Sequence, residues 1–472
     1  MSSMKAAQTA VRPQAQRSER PRSLSEVNLR NTIFLRLFLA TIPLHLTPAF
    51  NDGLMNIPWL RISAILTGLM FVEFLVSFRP KRRLDSPERT GLILFLLYMG
   101  IFTVTFARSI PNLHVFASVD PTFSYKTSTY IDSLYLLNSL AVLPFVYVVM
   151  NATSLEELYE LVRAIAVGIS IESLLIIGFI LQDPSVLTSF DRLGISKITL
   201  AVFGLHYNDV ATSYILTGPL LLYMALRRGG YWILPYALSF VAILLLESRT
   251  GLEVFFLMSL ATLAVMRRTN ILIIIVPLVA LGIFVTFGSI LLSFLSIGFT
   301  SHQGFSLNDA LTGRSDFIWA PVLKEWSAKP RLFWFGGGEF AIIASYSRIS
   351  GATLDVSQAH NAFLEFFLDA GLIVFVLFTG TISYYTWKGW KWARAHNNRL
   401  FWVLLFGWIG FLISCMTGRR FFPHAENWLV FPLLAMLVNI VRLTNKAEAA
   451  RAVLRRGPRP LAGASSASRK SA

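Results

Sequence analysis

His-Asn-Ala-Phe-Leu-Glu-Phe-Phe-Leu-Asp-Ala-Gly (360–371) runs without a break into Leu-Ile-Val-Phe-Val-Leu-Phe-Thr-Gly-Thr-Ile-Ser-Tyr-Tyr-Thr-Trp (372–387). A polar, histidine-led opening thus passes into an apolar run of membrane-spanning length. Counted from His360, Leu364, Phe367 and Gly371 recur at helical spacing, which predicts a helix entering a bilayer at its far end. His360 belongs at or just before the N-terminus of that helix. There the Asn361 side chain can satisfy backbone N–H groups that have no partner within the helix.

Outward from this stretch, apolar runs of about 17–25 residues recur from residue 31 to residue 443. The chain has 472 residues, of which 54% are hydrophobic and 14% charged, and its mean hydropathy is +0.59. A soluble domain carries about a quarter charged residues. The runs are continuous and lack period-two alternation, which excludes a β-barrel. The fold class is an all-α polytopic membrane protein. The expected spans are 31–49, 58–78, 91–107, 130–150, 161–181, 208–226, 231–246, 250–266, 271–299, 371–387, 400–417 and 425–443, about 12 transmembrane helices. The first is too long for a signal-peptide core and lacks a small-residue cleavage site. The polar termini, 1–30 and 444–472, read as basic disordered tails around one membrane domain, 31–443.

The net charge is +16. On a soluble protein that excess suggests nucleic acid; here it follows topology, and no nucleic-acid partner is expected. With both termini inside, the inner segments hold about 27 of the 42 Lys and Arg residues, as insertion requires. The basic tails also suit anionic membrane lipids. The outer face then receives one large late loop, about 300–370. It is rich in Trp and Phe and is expected to contain short helices folded against the membrane. An expected amphipathic helix at about 315–327 would put Ile318, Trp319, Val322, Leu323 and Trp326 on one face.

Several side chains on this face can carry chemistry. His360 titrates near neutrality and suits proton transfer; the alternative is a histidine that only caps a helix or bonds a loop carbonyl. Arg314 precedes the amphipathic helix, with Thr312 or Ser315 as N-cap. It makes an anion site with that N-terminus, or else a surface ion pair with Asp316 or Glu325. Arg249, in Leu-Glu-Ser-Arg-Thr-Gly (246–251), stands at a membrane border where an unpaired cation is costly. It either pairs with Glu253, one turn on, or is a second cation aimed at the same anion. Asn208 and Asp209 open a span, and Arg419, Arg420, His424 and Glu426 crowd a short outer turn. Gly336, Gly337 and Gly338 form either a turn or a site of close backbone approach. Asp52, in the first outer loop, is either a catalytic carboxylate or, on the preferred reading, a turn residue, and the lone cysteine, Cys415, reads as structural. There is no P-loop, no His-Glu-x-x-His and no Asp-x-Asp pair. Arginines and a histidine without metal or nucleotide motifs suit a substrate already activated by a diphosphate.

Taken together, Ser-Arg-Thr-Gly (248–251), Thr-Gly-Arg-Ser-Asp-Phe-Ile-Trp (312–319), the glycine turn, Asn208 and the 360–371 stretch resemble, in order, the motifs of the bacterial O-antigen ligase and polysaccharide polymerase superfamily. The resemblance covers roughly residues 31–443. It implies an inner-membrane glycosyltransferase with a periplasmic active site and cytoplasmic termini. Such an enzyme moves a glycan from undecaprenyl diphosphate to an acceptor hydroxyl on another glycan or on lipid A core, with no cofactor or metal. His360 would be the general base and Arg249 and Arg314 the diphosphate-binding cations. Asn208, Asn361, Arg419, Arg420 and His424 are further candidates for substrate contact. The turn reads Gly-Gly-Gly-Glu rather than a Gly-x-Gly alternation, so no role is carried over to Glu339. The competing expectation is a transporter or flippase of the same lipid-linked oligosaccharide, which would call for internal pseudo-symmetry and broken helices near mid-membrane; neither is visible in the sequence.

Overall fold

The computed structural model describes residues 32–44, 62–77, 84–115, 142–182, 192–267, 318–343, 345, 359–418, 421 and 427–455. Among these residues there are helices and no strands. In chain order they are α1 (Ile33–Thr41), α2 (Ile62–Ser77), α3 (Ser86–Ser109), α4 (Val142–Asn151), α5 (Leu155–Gln182), α6 (Arg192–Phe203) and α7 (Tyr207–Arg228). There follow α8 (Ile233–Leu245), α9 (Arg249–Val265), α10 (Ala320–Ser327), α11 (Pro330–Phe335), α12 (Ala362–His396), α13 (Arg399–Ser414) and α14 (Val430–Arg455). Six helical segments are long and apolar enough to cross a membrane: Ser86–Val115, Leu155–Gln182, Tyr207–Arg228, Ala362–His396, Arg399–Thr417 and Val430–Ala452.

Helices overlap eleven of the twelve expected spans; the twelfth, 271–299, lies outside the described residues, as do the tail 1–30, Asp52 and, in the 300–370 loop, residues 300–317, 344 and 346–358. Three of the differences from expectation concern the late helices and one early connection. The helix after the kink runs to His396, leaving only Asn397 in a left-handed turn and Asn398 as N-cap of α13. The last helix continues to Arg455, through an alanine-rich stretch. There Lys446 pairs with Asp85 at 3.1 Å and His396 approaches Glu448 at 3.5 Å. Helix α6 falls in a segment read as an outer connection; Ile195, Thr199 and Phe203 bury one of its faces.

The core gathers around α7, whose residues from Val210 to Met224 are almost all buried. Helices α8, α9 and α13 pack on it. Small residues make the closest crossing: a Cβ on Gly407 would stand 2.4 Å from the Leu216 carbonyl oxygen. Close backbone approach of this kind is how helices associate where lipid removes the hydrophobic drive.

The bundle has two distinct polar ends. At one, the buried Arg442 meets the buried Glu88 at 3.2 Å and donates to the Ala152 carbonyl, while Asn439 donates to the Val148 carbonyl at 2.9 Å. Arg227, at the end of α7, donates to Tyr159 and Tyr223 there. Exposed Tyr384, Trp387 and Trp390 mark the membrane border near the end of α12, with Lys391 3.7 Å from the Trp387 ring centre. At the opposite end lie the starts of α7, α9 and α12 and the ends of α3 and α13. That end holds the candidate site.

Candidate functional site

The first turn of α12 sets the position of His360. Asn361 is the N-cap, and its Oδ1 accepts from the amides of Phe363 at 3.0 Å and Leu364 at 3.2 Å. His360, one residue earlier, is outside the helix and half-buried, with a left-handed backbone, φ 53°. Few non-glycine residues take that conformation, and those that do cluster at functional sites. Two side chains hold the preceding residue. The Ala359 amide donates to Glu365 Oε1 at 2.7 Å, and the Ala359 carbonyl accepts from Trp319 Nε1 at 2.8 Å. The histidine is thus fixed from its own helix and from the loop motif that contains Arg314.

On its other side His360 faces the turn that follows α13. A Cβ on Gly418 would lie 3.9 Å from His360 Nδ1. Phe421, three residues on, packs edge-to-face on Phe363 with ring centres 4.8 Å apart, and its carbonyl accepts from Tyr98. Gly418 and Phe421 therefore bracket Arg419 and Arg420 in sequence while themselves contacting the His360 loop. Cys415, in the same turn, is fully buried.

The glycine turn approaches the backbone of α12. That helix breaks at Gly371, with φ 82° and ψ 168°, which frees the carbonyls of Leu368 and Asp369. Gly337 and Gly338 donate their amides to those two carbonyls, each at 2.9 Å, and Ala341 donates to Asp369 Oδ1 at 3.3 Å. Gly336 and Gly371 are interlocked: a Cβ on Gly336 would stand 2.3 Å from the Asp369 oxygen, and one on Gly371 2.5 Å from the Gly336 nitrogen. Both have positive φ. Arg108, at the end of α3, donates to the carbonyls of Phe335 and Gly336, and Glu339 N–H donates to Thr105 O at 3.2 Å. The buried Glu339 side chain sits in this joint.

Helix α10 anchors the loop through Val322 and Trp326, both buried one turn apart, with Ile318 a turn earlier. Leu323, expected on the same face, is exposed, because a residue one step along a helix points about 100° away.

Arg249 and Asn208 meet through Ser248. This serine is buried and caps α9, accepting from the Gly251 amide at 3.3 Å. Its hydroxyl donates to Asn208 Oδ1 at 2.7 Å. Gly251 leaves room for α7: a Cβ there would come within 2.8 Å of Ala211 Cβ. His206 caps α7, its Nδ1 accepting from Asn208 N at 3.3 Å. Arg249 is half-buried and within electrostatic range of Glu253, one turn on.

The two halves of the site are joined through α13. Gly410 packs against Ile215 of α7 and against Val254 and Met258 of α9. From that crossing α7 and α9 lead back to Asn208 and Arg249, and α13 leads on to Gly418 beside His360. The structure therefore brings Asn208, Arg249, His360 and Asn361 to one end of the bundle. Arg314, Arg419, Arg420 and His424 lie outside the described residues. Among the described residues, no three His, Cys, Asp or Glu side chains come together as a metal-ligand set. The sequence assigns no part to Ser248 or Glu365, and places Trp319 only on an apolar helix face. The serine one residue before a helix start was a readable cap signal, whereas the partners of Trp319 and Glu365 depend on the fold.

No curated protein matches the chain. Residues 234–379 match the family model described as O-antigen ligase, a segment that includes Arg249, the glycine turn and His360. That match, over about a third of the chain, supports a place in the O-antigen ligase superfamily.

Proposed function

We propose that this membrane protein transfers a glycan from undecaprenyl diphosphate to an acceptor hydroxyl at the periplasmic face of the bacterial inner membrane. The observation that carries this reading is the clamp on Ala359. It holds His360 in a left-handed backbone beside Gly418, at the same end of the bundle as the capped start of the Arg249 helix. The basic-residue count supports the orientation, with the His360 end outward.

In this reaction His360 accepts the proton of the acceptor hydroxyl. The hydroxyl oxygen attacks the anomeric carbon of the donor. The bond from that carbon to the diphosphate oxygen breaks, and the electron pair leaves with the diphosphate. Arg249 and Arg314 stabilise the charge that builds on this leaving group, which is worth most where water is excluded. Asn208 holds the cap that aims Arg249. Asn361, Arg419, Arg420 and His424 are further substrate contacts.

The test is His360→Ala in cells, followed by sizing of the glycan product. We expect product to be lost while protein level and insertion stay normal; normal product from the mutant would overturn the assignment. Deleting the whole gene separates two acceptors: shortened chains mean polymerisation, while full-length chains left on the carrier mean ligation.

A further inference from the structure

The end of the bundle opposite His360 carries a cationic cluster with no part in the proposed transfer. We infer that it is a binding site for one anionic phospholipid, with the phosphate at the arginines and the acyl chains along α5 and α8. Arg227 donates to the hydroxyls of Tyr159 and Tyr223, and those hydroxyls lie 3.2 Å apart. Arg228 stacks over the Tyr159 ring at 4.9 Å, and Arg163, one turn along α5 from Tyr159, lies 6.0 Å from the centre of the Tyr231 ring. All three arginines are exposed. None of them forms an ion pair among the described residues. The aromatic rings fix their positions without neutralising their charge.

The surface beside the cluster is apolar. From Arg163, an exposed row of Val167, Ile171 and Leu174 follows helical spacing along α5 into the membrane. From Tyr231, which is itself exposed, Leu234 and Val241 form a second exposed row on α8, and the two helices pack on each other. A soluble anion would have no use for these rows, and a zwitterionic headgroup would bring a cation of its own to the arginines. A phospholipid with net negative charge satisfies both parts. Basic pockets between helices at a membrane border bind such headgroups.

The full-length protein in a mild detergent can be offered phosphatidylglycerol or phosphatidylcholine with the same acyl chains, and retention read by native mass spectrometry. We expect phosphatidylglycerol to be retained preferentially. Each arginine removed should weaken that preference about fivefold. Arg163→Gln/Arg228→Gln should therefore lose most of it. Arg163→Gln alone, which disturbs only an exposed ring contact, should lose about fivefold and guards against misfolding of the double variant. Equal retention of both lipids by the wild type, or an unchanged preference in these variants, would overturn the inference. Soluble glycerol phosphate should not displace the lipid; displacement at equal concentration would show a site for a water-soluble anion instead. The basic termini are the same in every variant, so their attraction for lipid cancels in the comparison.

Discussion

Ser248 and Asn208 stand 40 residues apart in the chain and share a hydrogen bond of 2.7 Å. The serine hydroxyl also accepts from the Gly251 amide, so one oxygen joins the start of α7 to the start of α9. This link sets where Arg249 leaves its helix.

Asn208→Ala removes the acceptor of that bond. A hydrogen bond of this kind contributes about 1 kcal/mol, so transfer from a purified carrier-linked donor should fall about fivefold. Asn208→Asp keeps an acceptor oxygen and should stay closer to wild type. Equal rates in all three proteins would mean that the cap does not aim Arg249.

His360→Asn tests chemistry apart from backbone. Asparagine tolerates the left-handed region, so thermal stability in detergent should be unchanged. Asparagine cannot act as the proposed base, so transfer should drop about 10²–10⁴-fold. If the activity loss tracked a loss of stability, the histidine would be a conformational residue.

Glu365 acts through the Ala359 amide. Glu365→Ala removes one of the two side chains that hold Ala359, and the loss of a hydrogen bond to a charged group, about 1.5–3 kcal/mol, should lower kcat. Glu365→Gln keeps an acceptor and should recover a large part. A change confined to KM would argue that the clamp serves substrate binding rather than the placing of His360.

Gly371→Ala should destabilise the site end. Its methyl group would meet the Gly336 nitrogen at 2.5 Å, and overpacking of this kind costs about 1–3 kcal/mol. The expected readout is earlier thermal unfolding together with faster proteolysis between residues 318 and 343. Normal proteolysis would mean that the glycine turn does not depend on the kink.

At the far end, Glu88→Gln removes the negative charge of a buried ion pair and leaves the buried Arg442 charge uncompensated by it. Removing one partner of such a pair costs about 3–5 kcal/mol. Replacing both, Glu88→Leu with Arg442→Met, should restore most of the stability in a detergent melt, since a pair of apolar residues is often neutral there.

Much of this fold can be read from local pattern. Helices lie at eleven expected span positions because apolar runs of that length leave the chain little choice in lipid. The place of His360 just before a helix could be read from the spacing of Leu364, Phe367 and Gly371, and Asn361 as its cap from residue type. Boundaries were less legible. Helix α14 runs on to Arg455 beside contacts such as Lys446 with Asp85, made 361 residues away in sequence. The glycine turn was legible as a turn, but its partner was not: nothing near residues 336–338 indicates that Gly371 breaks a helix to receive it. The same limit hid the bonds of Glu365 and Trp319, whose polar atoms converge on Ala359 only after the loop has folded back. Nothing in the sequence links Asn208 to Arg249; the serine that joins them shows only in three dimensions.

The interlock of Gly336 with Gly371 also bears on when the site can form during synthesis. The turn leaves the ribosome roughly 35 residues before its receptor. At about 5–20 residues per second, it waits some 2–7 s for a helix that does not yet exist. Arg108, which holds the same turn from α3, has by then long been made. The nascent loop therefore has one half of its cradle in advance and the other half late, and His360 reaches its final geometry only after the α12 span has entered the bilayer. Incompletely inserted chains would thus be catalytically silent, and lipid-linked donor would meet a working site only in a chain whose late spans are in place.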